Sequence, residues 1–544
     1  KAAIGAATGS VAADDPTLAG TIHGSVSAGG TMQQAPQVYL AFKRLPDGYV
    51  ICPRDGETTG SVTLQGNSAG LSGALYARVL SPDGATLVEP FAFEGVGPTM
   101  NVSLPLPEFA GWGIIELWSE SHPDIVFRMN SRIGCGHKVS VIGQSQCDIM
   151  LYASGVTTAP SGIASFCGYI GLRSDPADTT SVPVKRFSTS ARPQMFVIEP
   201  EMTNVYNGVT AIASRIHQHG QGKAVCVIDT CIPGTSARDW IKDSVTTRLW
   251  ALDVEIAALA GTDRVPVWQW YTSDAGSYPD LLDAVVHGTG PLAGDRRLFD
   301  GSINAPGYKL GICLPTRATN VTAGPTTADD FGTTRSTAQA GQLAWAAANP
   351  AISAVGPAVT DFAIDNLAAG TPSGPNANLG GPHGSQVLME GCFRLGYRIG
   401  ETYLRARGLS PTAGNPALRR ESVVVAPDRS TVTISASLPN GGSLRTQDSR
   451  PVNGFEYSLD SGTTWSRLGI TATITAPGTV TLALDSGPWP VGARFAYLRG
   501  GPFSHGTSVE LSAPYKGGLY DGCEAENGLG FPVMAIPAAE AIIV

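Results

Sequence analysis

Four segments of the sequence combine residue types that can do acyl chemistry with the ends of apolar runs. Ser145 follows a run that ends at Gly143, and Gly234 follows a second run in a loop that also contains proline. Gln269 lies within a third run, and His383 lies in a Gly- and Pro-rich loop before a long predicted helix. A serine in such a turn exposes its hydroxyl beside backbone N–H groups, as a nucleophile requires. The glycine can offer an unblocked N–H to an oxyanion, and the histidine can face the same site.

Each of these residues also has a commoner structural role. A serine after a strand is more often a turn residue or a helix N-cap. A loop glycine is more often selected for its backbone angles, and a loop histidine is more often simply exposed. The aromatic run around Gln269 also fits a buried strand. The function therefore depends on whether the fold brings the four segments together.

Strands and helices alternate between residues 138 and 408, and this pattern predicts where the segments lie. The predicted strands are Lys138–Ile142, Lys223–Ile228, Val265–Trp270, Tyr308–Leu314 and Ala354–Thr360. The predicted helices are Asn204–His219, Thr246–Ala260, Thr337–Ala348 and Gln386–Arg407. The alternation predicts a mostly parallel, doubly wound sheet with helices on both faces. Sites in such a sheet form at the carboxyl ends of the strands.

All-β patterns flank this region on both sides. Short Val-, Leu-, Tyr- and Phe-rich runs separated by Asp-Gly turns predict a β-sandwich before residue 135. Alternating and β-branched runs return after residue 420. The predicted domains are an N-terminal arm (1–20), a β-sandwich (21–135), an α/β domain (136–418) and a C-terminal β-domain (419–544).

The composition excludes several classes of protein. The chain has 544 residues, a formal net charge of −9, 66 glycines and 39 prolines. Its hydrophobic fraction of 42% is too high for a disordered chain, and no apolar run approaches the length of about 20 residues that spans a bilayer. An acidic chain without a basic cluster is not expected to bind nucleic acid. Low charge and many small polar residues favour an extracellular, periplasmic or virion-associated protein.

The cysteines do not predict a metal site, and they do not indicate the cellular compartment. There are nine of them, so at least one is unpaired if disulfides form. Cys226 lies in an apolar run and is predicted to be a buried thiol. Because no CxxC pair occurs, a zinc site of the usual spacing is not expected, and no cofactor is predicted.

The four segments, in this order, resemble the motif blocks of the SGNH hydrolases, and specifically the branch of sialate O-acetylesterases and acetylxylan esterases. The matching residues are Gly143-Gln144-Ser145-Gln146, Pro233-Gly234-Thr235 with Trp240, Trp268 with Ser273-Asp274, and His383. Near the C-terminus, the segments similar to that family's closing β-domain are Phe495–Arg499, Gly518–Asp521 and Gly528–Pro532. The resemblance spans roughly residues 135–535. The chain departs from the family at Gln146, at Trp270–Thr272 and at Gly380, where the family has Asn, Gln-Gly-Glu and Asp.

The resemblance implies an SGNH-hydrolase-like α/β fold, a flavodoxin-like three-layer arrangement, with Ser145 as nucleophile and His383 as general base. It also implies that the Ser145 and Gly234 backbone N–H groups hold the oxyanion. The family's third oxyanion donor comes from the altered block, where Gln269 is the nearest amide side chain. Simple alternation places Gln269 on the face opposite Trp268 and Trp270, so we expect it to serve only if a bulge shifts the register.

The acid that orients the histidine is missing from its usual position, because Gly380 stands there. A neutral imidazole needs a partner at Nδ1 to fix its tautomer. Asp361 and Asp365 follow a predicted strand upstream of His383, and either could replace the absent Asp. A backbone carbonyl could also orient the ring and leave a Ser–His dyad.

The resemblance implies a carbohydrate esterase that removes O-acetyl groups from a glycan without a cofactor. Its expected partner is an O-acetylated glycan, with no nucleic acid and no membrane span. The alternative is a hydrolase fold turned into a glycan-binding or structural appendage, for example in a phage-like particle. A homo-oligomer or a virion or surface assembly would suit that setting.

Overall fold

The computed structural model describes part of the chain in detail. The described residues are 18–20, 38–143, 147, 154–156, 162–173, 192–198, 205–231, 237–240, 249–270, 278–293, 298–301, 303–314, 317–319, 330–357, 363–365, 386–412, 420–436, 438, 442–446, 449, 451–452, 454–466, 468–497, 519–522 and 543.

The N-terminal part consists mainly of antiparallel sheets around one core, with a parallel pair of β3 and β10. Its strands are β1 (Leu18–Gly20), β2 (Tyr39–Lys43), β3 (Tyr49–Ile51), β4 (Thr59–Ala69), β5 (Ala74–Leu80), β6 (Thr86–Gly95), β7 (Thr99–Pro107), β8 (Ile114–Ser119), β9 (His122–Arg128) and β10 (Ile133–Cys135). Two sheets, β1-β2-β4-β7 and β6-β5-β8-β9, share a core that includes Leu64, Leu104 and Phe127. Strand β1 pairs with β2, so the last three residues of the predicted arm form a strand.

The central part alternates strands and helices, as predicted. Its strands are β11 (His137–Gly143), β12 (Ser154–Val156), β13 (Cys167–Arg173), β14 (Arg192–Val197), β15 (Val205–Tyr206), β16 (Val225–Asp229), β17 (Val265–Gln269), β18 (Leu310–Ile312), β19 (Arg317–Thr319), β20 (Ser353–Val355) and β21 (Ala363–Asp365). Its helices are α1 (Asn207–His219), α2 (Leu249–Ala260), α3 (Tyr278–His287), α4 (Asp330–Ala348) and α5 (Gln386–Ala406). None of the described helices combines the length and hydropathy needed to cross a bilayer.

In the described part of the chain, seven strands form one sheet in the order β14-β13-β16-β11-β17-β18-β20. All neighbours are parallel except β13 and β14, which form an antiparallel pair at the edge. The prediction of a mostly parallel sheet is therefore confirmed. Strands β11, β16 and β17 are buried at every position, because helices cover both faces of a parallel sheet.

The two faces of this sheet bury separate cores. Val139, Val141 and Val267 pack with residues of α1 and α5. Ile142 and Trp268 pack on the other face, with residues of α2, α3 and α4. Because side chains alternate along a strand, each strand contributes to both layers. The result is a three-layer arrangement with helices on each side of the sheet.

Helices α1 and α5 run side by side in the same direction. A Cβ on Gly396 would lie 2.3 Å from the Gly208 carbonyl oxygen, and one on Gly400 would lie 2.9 Å from that of Ile212. One turn further along, Arg215 and Glu401 form a fully buried ion pair with an N–O distance of 2.8 Å. The small residues allow the two backbones to approach closely, and the ion pair fixes their register.

The order of the central strands creates a switch point next to β11. The chain passes from β11 to β13 and β16 on one side, and then to β17 on the other side. Binding crevices in doubly wound sheets form beyond the carboxyl ends of the strands at such a switch point. Gly143, Asp229 and Gln269 are the last residues of β11, β16 and β17, the three strands at this point.

Some predicted bounds differ from the observed ones. Helix α4 begins at Asp330 rather than Thr337, and the predicted strand Ala354–Thr360 is the shorter β20, Ser353–Val355. The residues that follow Val355 include Gly356 and Pro357, which interrupt β pairing. Strand β21, which contains Asp365, pairs with β19 in a separate two-stranded parallel sheet.

The C-terminal part is again built from antiparallel strands. These are β22 (Arg420–Val425), β23 (Thr431–Ala436), β24 (Phe455–Ser458), β25 (Ile470–Ala476), β26 (Thr479–Leu484) and β27 (Arg494–Tyr497). The sheets β22-β23-β26-β25 and β24-β27 share a core that includes Val432, Leu482 and Phe495.

Candidate active site at the carboxyl edge of the parallel sheet

Gly143 ends the central strand at a point where no side chain fits. A Cβ there would lie 2.6 Å from the Cys147 Cβ and 2.8 Å from the Gln269 carbonyl oxygen. Cys147 is fully buried in the core between the sheet and helices α1 and α5. The chain therefore turns from β11 toward that face of the sheet. Ser145, the predicted nucleophile, lies between Gly143 and Cys147, outside the described residues.

Gln269 lies directly opposite Gly143 in the β11–β17 pairing. Its side chain is fully buried, and neither Nε2 nor Oε1 has a hydrogen-bond partner among the residues that the structure describes. An amide buried in this way costs about 1–3 kcal/mol. An unsatisfied buried polar group calls for an explanation such as strain, a catalytic role or a bound water or ion.

The β11–β17 register is continuous from Val139 to Gly143, so alternation predicts the side of Gln269 without a bulge. Val265 and Val267 pack in the core of α1 and α5, whereas Trp268 packs in the opposite core. Gln269 therefore shares a face with the two valines. Gln269 thus lies on the face opposite Trp268, as alternation predicts, and Cys147 and α5 pack on this same face. Its part in the site stays a prediction.

Trp268 in β17 and Trp270, the residue after the strand, pack on the other side of the sheet. Trp268 and Trp270 are fully buried and stack with ring centroids 5.2 Å apart. The Gln342 side chain on α4 donates from Nε2 to the Trp270 carbonyl oxygen at 3.0 Å. Trp270 thus has a packing role where the SGNH family has a polar residue.

Asp229 is a buried carboxylate that the sequence reasoning passed over. It ends β16, next to β11, and is 1% exposed. The Cys231 backbone N–H donates to its Oδ1 at 2.9 Å, and the Tyr169 hydroxyl donates to Oδ2 at 3.5 Å. Val225 and Val227 pack in the core of α1 and α5, so alternation places Asp229 on the same face as Gln269. An acid that directly ends a buried apolar run was the available signal.

Helix α5 begins at this edge of the sheet. Its C-terminal turn contacts the start of β11, where the Tyr403 hydroxyl lies 3.1 Å from His137 Nδ1. It runs parallel to α1, whose C-terminus is followed by Gly220, a contact of the same His137. The N-terminus of α5, at Gln386, therefore lies toward the carboxyl ends of the strands. His383, the predicted general base, precedes α5 by three positions in the sequence and lies outside the described residues.

The other predicted site residues are described only in part. Gly234 and Asp361 lie outside the described residues. Asp365 is the last residue of β21, where its Cα pairs with that of Thr319. The structure thus brings the ends of β11, β16 and β17 together.

Several cysteines of the described part of the chain are buried thiols in the core. These free thiols include Cys52, Cys135, Cys147, Cys167, Cys226 and Cys313. Burial raises the pKa of Cys226 and of Cys313 to about 12, so these thiols stay protonated at neutral pH. Within the described ranges, no group of three His, Cys, Asp or Glu residues is placed to hold a metal ion.

Neither the known family models nor the curated proteins include a match to this sequence. The comparison with solved structures gives matches at low sequence identity. A carbohydrate acetylesterase from Xanthomonas citri shares 14% identity over 92% of this chain and 99% of its own, with a TM-score of 0.50. A family two carbohydrate esterase from Clostridium thermocellum, solved with cellohexaose, shares 13% identity over 73% of this chain and 97% of its own, with a TM-score of 0.25.

The similarity to the Xanthomonas citri structure concerns the fold, because 14% identity says little about individual residues. It extends over almost the whole of both chains. The arrangement of a parallel α/β sheet with additional β sheets is therefore one that a solved carbohydrate acetylesterase also has.

Proposed function

We propose that this protein is a serine esterase of the SGNH type that removes O-acetyl groups from a carbohydrate. The buried, unpartnered amide of Gln269 at the carboxyl end of β17 carries the proposal. An amide donor at this edge of a doubly wound sheet suits a site that must stabilise a developing oxyanion. The fold similarity to a carbohydrate acetylesterase supports a carbohydrate ester as the substrate class.

In the proposed mechanism, Ser145 Oγ attacks the acetyl carbonyl carbon while His383 accepts the hydroxyl proton. The tetrahedral intermediate then collapses, and His383 returns the proton to the leaving sugar hydroxyl. Water attacks the acetyl-serine in the second half of the cycle, with His383 again as the base. Acetate leaves and Ser145 regains its proton.

The negative charge of the intermediate would be held by three donors. Two are the backbone N–H groups of Ser145 and Gly234, and the third is Nε2 of Gln269. A donor that is already dry and held by a strand needs little reorganisation during the reaction. This would explain why the amide has no partner among the described side chains.

The orienting acid has three candidates in this proposal. Asp361 and Asp365 precede His383 in the sequence, and Asp229 is the buried carboxylate at the end of β16. Asp229 has the advantage that its backbone already lies on the strand beside β11, on the face that α5 covers. A carboxylate at the imidazole Nδ1–H would fix the tautomer and stabilise the imidazolium.

Three isosteric variants identify the acid: Asp229→Asn, Asp361→Asn and Asp365→Asn. The variant at the orienting position should lower kcat by about 10⁴-fold and alter the pH profile of kcat/KM, because the imidazole loses its tautomer control. The other two should retain activity within a few fold. Equal, small effects of all three would indicate a Ser–His dyad.

Acetate release from acetylated xylan and from p-nitrophenyl acetate tests the proposal as a whole. The Ser145→Ala variant should lose hydrolysis of both substrates. The matched control is Ser61→Ala, an exposed serine of the N-terminal sheet. Unchanged activity of Ser145→Ala, or no activity of the wild-type protein on any acetyl ester, would overturn the proposal and favour a glycan-binding or structural role.

A further inference from the structure

The outer face of the sheet β6-β5-β8-β9 carries an ordered set of aromatic and charged side chains. Inward-pointing residues of β5 and β8 such as Ala77 and Leu117 fill the sandwich core. The outward-pointing residues form two rows across the strands, and we call them the outer-face patch. These residues are Tyr76, Arg78, Glu116, Trp118 and Arg128.

The first row of the outer-face patch is aromatic. Tyr76 and Trp118 are direct cross-strand partners, and their rings are nearly parallel, with centroids 5.9 Å apart and an interplanar angle of 11°. Ala92, the partner of Tyr76 on β6, is small and exposed, so it leaves the neighbouring space open. Both aromatic residues are only half-buried. Large, rigid aromatic side chains held at a surface are typical of recognition sites.

The second row consists of charged side chains that differ in their exposure to solvent. The Glu116 side chain is 8% exposed, whereas those of Arg78 and Arg128 are 40% and 47% exposed. Arg78 Nη2 lies 2.6 Å from Glu116 Oε2, and Arg128 Nη1 lies 3.5 Å from Oε1. The carboxylate is thus covered by the two guanidinium groups, which present their remaining N–H donors to solvent.

The solvent side of the outer-face patch is rich in donors and carries a local excess of one positive charge, on a chain with a net charge of −9. The Arg78 guanidinium also lies 5.7 Å from the Trp118 ring centroid. Within the described part of the chain, the Trp118 Nε1–H has no hydrogen-bond partner. A complementary ligand must therefore offer oxygen acceptors, negative charge and an apolar face.

We infer that the outer-face patch binds a polysaccharide that contains uronic acids. The C–H face of a sugar ring packs on Tyr76 and Trp118, because the negative face of an aromatic ring attracts polarised hydrogens. The uronate carboxylate accepts hydrogen bonds from Arg78 and Arg128, whose planar guanidinium groups suit carboxylates. This binding site lies in a different sheet from the proposed active site, so it does not depend on the esterase chemistry.

Titration calorimetry of the full-length protein with oligogalacturonate tests the inference, with uncharged cello-oligosaccharides of equal length as the comparison. The wild-type protein should bind oligogalacturonate, with affinity that falls as salt is raised. Trp118→Ala and Arg128→Gln should each weaken binding about tenfold or more. The matched control is Arg54→Gln, an exposed arginine outside the patch, which should bind as the wild type does.

Arg128→Gln guards against misfolding, because Arg128 is exposed and its loss leaves the sheet core intact. Circular dichroism spectra and thermal melting midpoints of both patch variants should equal those of the wild type and confirm that they are folded. No binding by the wild type, equal binding of the uncharged oligosaccharide, or unchanged affinity of both variants would overturn the inference. If the protein bound oligogalacturonate but hydrolysed no ester, this inference would stand and the proposed function would be wrong.

Discussion

Gly143 and Gln269 are paired across two neighbouring parallel strands, and a Cβ on Gly143 would lie 2.8 Å from the Gln269 carbonyl oxygen. This close approach joins the two parts of the proposed oxyanion site. The glycine ends β11 where a side chain would clash, and the glutamine ends the adjacent strand with an unpartnered buried amide. The packing at Gly143 therefore limits where the Gln269 amide can lie.

Replacement of Gly143 by alanine should impair both stability and activity. The new methyl group would meet the Cys147 Cβ and the Gln269 carbonyl oxygen, and overpacking of this kind costs about 1–3 kcal/mol. The matched control is Gly95→Ala, because a Cβ at Gly95 has nothing within 4 Å. Denaturation midpoints and acetate release check the result. A Gly143→Ala variant that matches Gly95→Ala in both would show that the tight contact is unimportant.

Replacement of Gln269 by leucine separates a catalytic role from a structural one. Loss of an oxyanion donor should lower kcat about 10²–10³-fold with little change in KM. Stability should stay the same or rise, because a buried amide without a partner is replaced by an apolar group of similar size. Steady-state kinetics and thermal melting measure the two effects. Loss of stability with unchanged kcat would assign Gln269 to packing alone.

The general fold could be predicted from the sequence, but the face on which the site forms could not. The strands His137–Gly143, Val225–Asp229 and Val265–Gln269 follow closely from their apolar runs. Alternation of side chains along the strand also places Gln269 and Trp268 on opposite faces of the sheet. Which of the two faces lies toward the predicted histidine depends on the packing of α5, and a long-range contact of that kind leaves no local pattern in the sequence.

His137 should make stability depend on pH. Burial lowers its pKa to about 3, against a reference of about 6.5, so the folded state stays neutral where the unfolded state binds a proton. Stability is therefore full above about pH 6.5 and falls as the pH drops toward 3. Between pH 7 and 5 the loss should be about 2 kcal/mol.

Urea unfolding at the two pH values measures this loss in the wild type and in His137→Gln. The variant should be less stable at pH 7 and should lack this part of the pH dependence. The control is His122→Gln, at the start of β9, which should keep the wild-type difference. An equal pH dependence of the wild type and His137→Gln would contradict the prediction.

The ion pair between Arg215 and Glu401 should be essential for the packing of α1 against α5. Both side chains are fully buried. Burial raises the pKa of Glu401, but Arg215, Arg405 and hydrogen bonds from Ser410 and Thr412 together hold it below its usual value. Glu401→Gln removes the carboxylate that pairs with the buried Arg215 guanidinium, which should cost about 3–5 kcal/mol. Chemical denaturation provides the measurement.

The exposed pair of Arg132 and Asp47 is the matched comparison for that experiment. The Asp47 side chain is 42% exposed, so Asp47→Asn should cost about 1 kcal/mol or less. If Glu401→Gln were no more harmful than Asp47→Asn, the buried pair would not hold the two helices together.

The candidates for the orienting acid differ according to whether they are selected by position in the sequence or by position in the fold. The sequence led to Asp361 and Asp365 because they lie near His383 along the chain. Strand β21, which contains Asp365, belongs to a separate small sheet with β19. Asp229 is distant from His383 in sequence, yet it ends the strand beside β11. Proximity in a doubly wound sheet follows strand order rather than chain order.

Covalent labelling with a fluorophosphonate tests the central claim most directly, because this reagent reacts with a serine only when its hydroxyl is activated. Digestion and mass spectrometry then identify the labelled residue. We expect one adduct, on Ser145, with loss of acetate release in proportion to the labelled fraction. Continued hydrolysis without an adduct on Ser145, or an adduct on a different serine, would contradict the central claim.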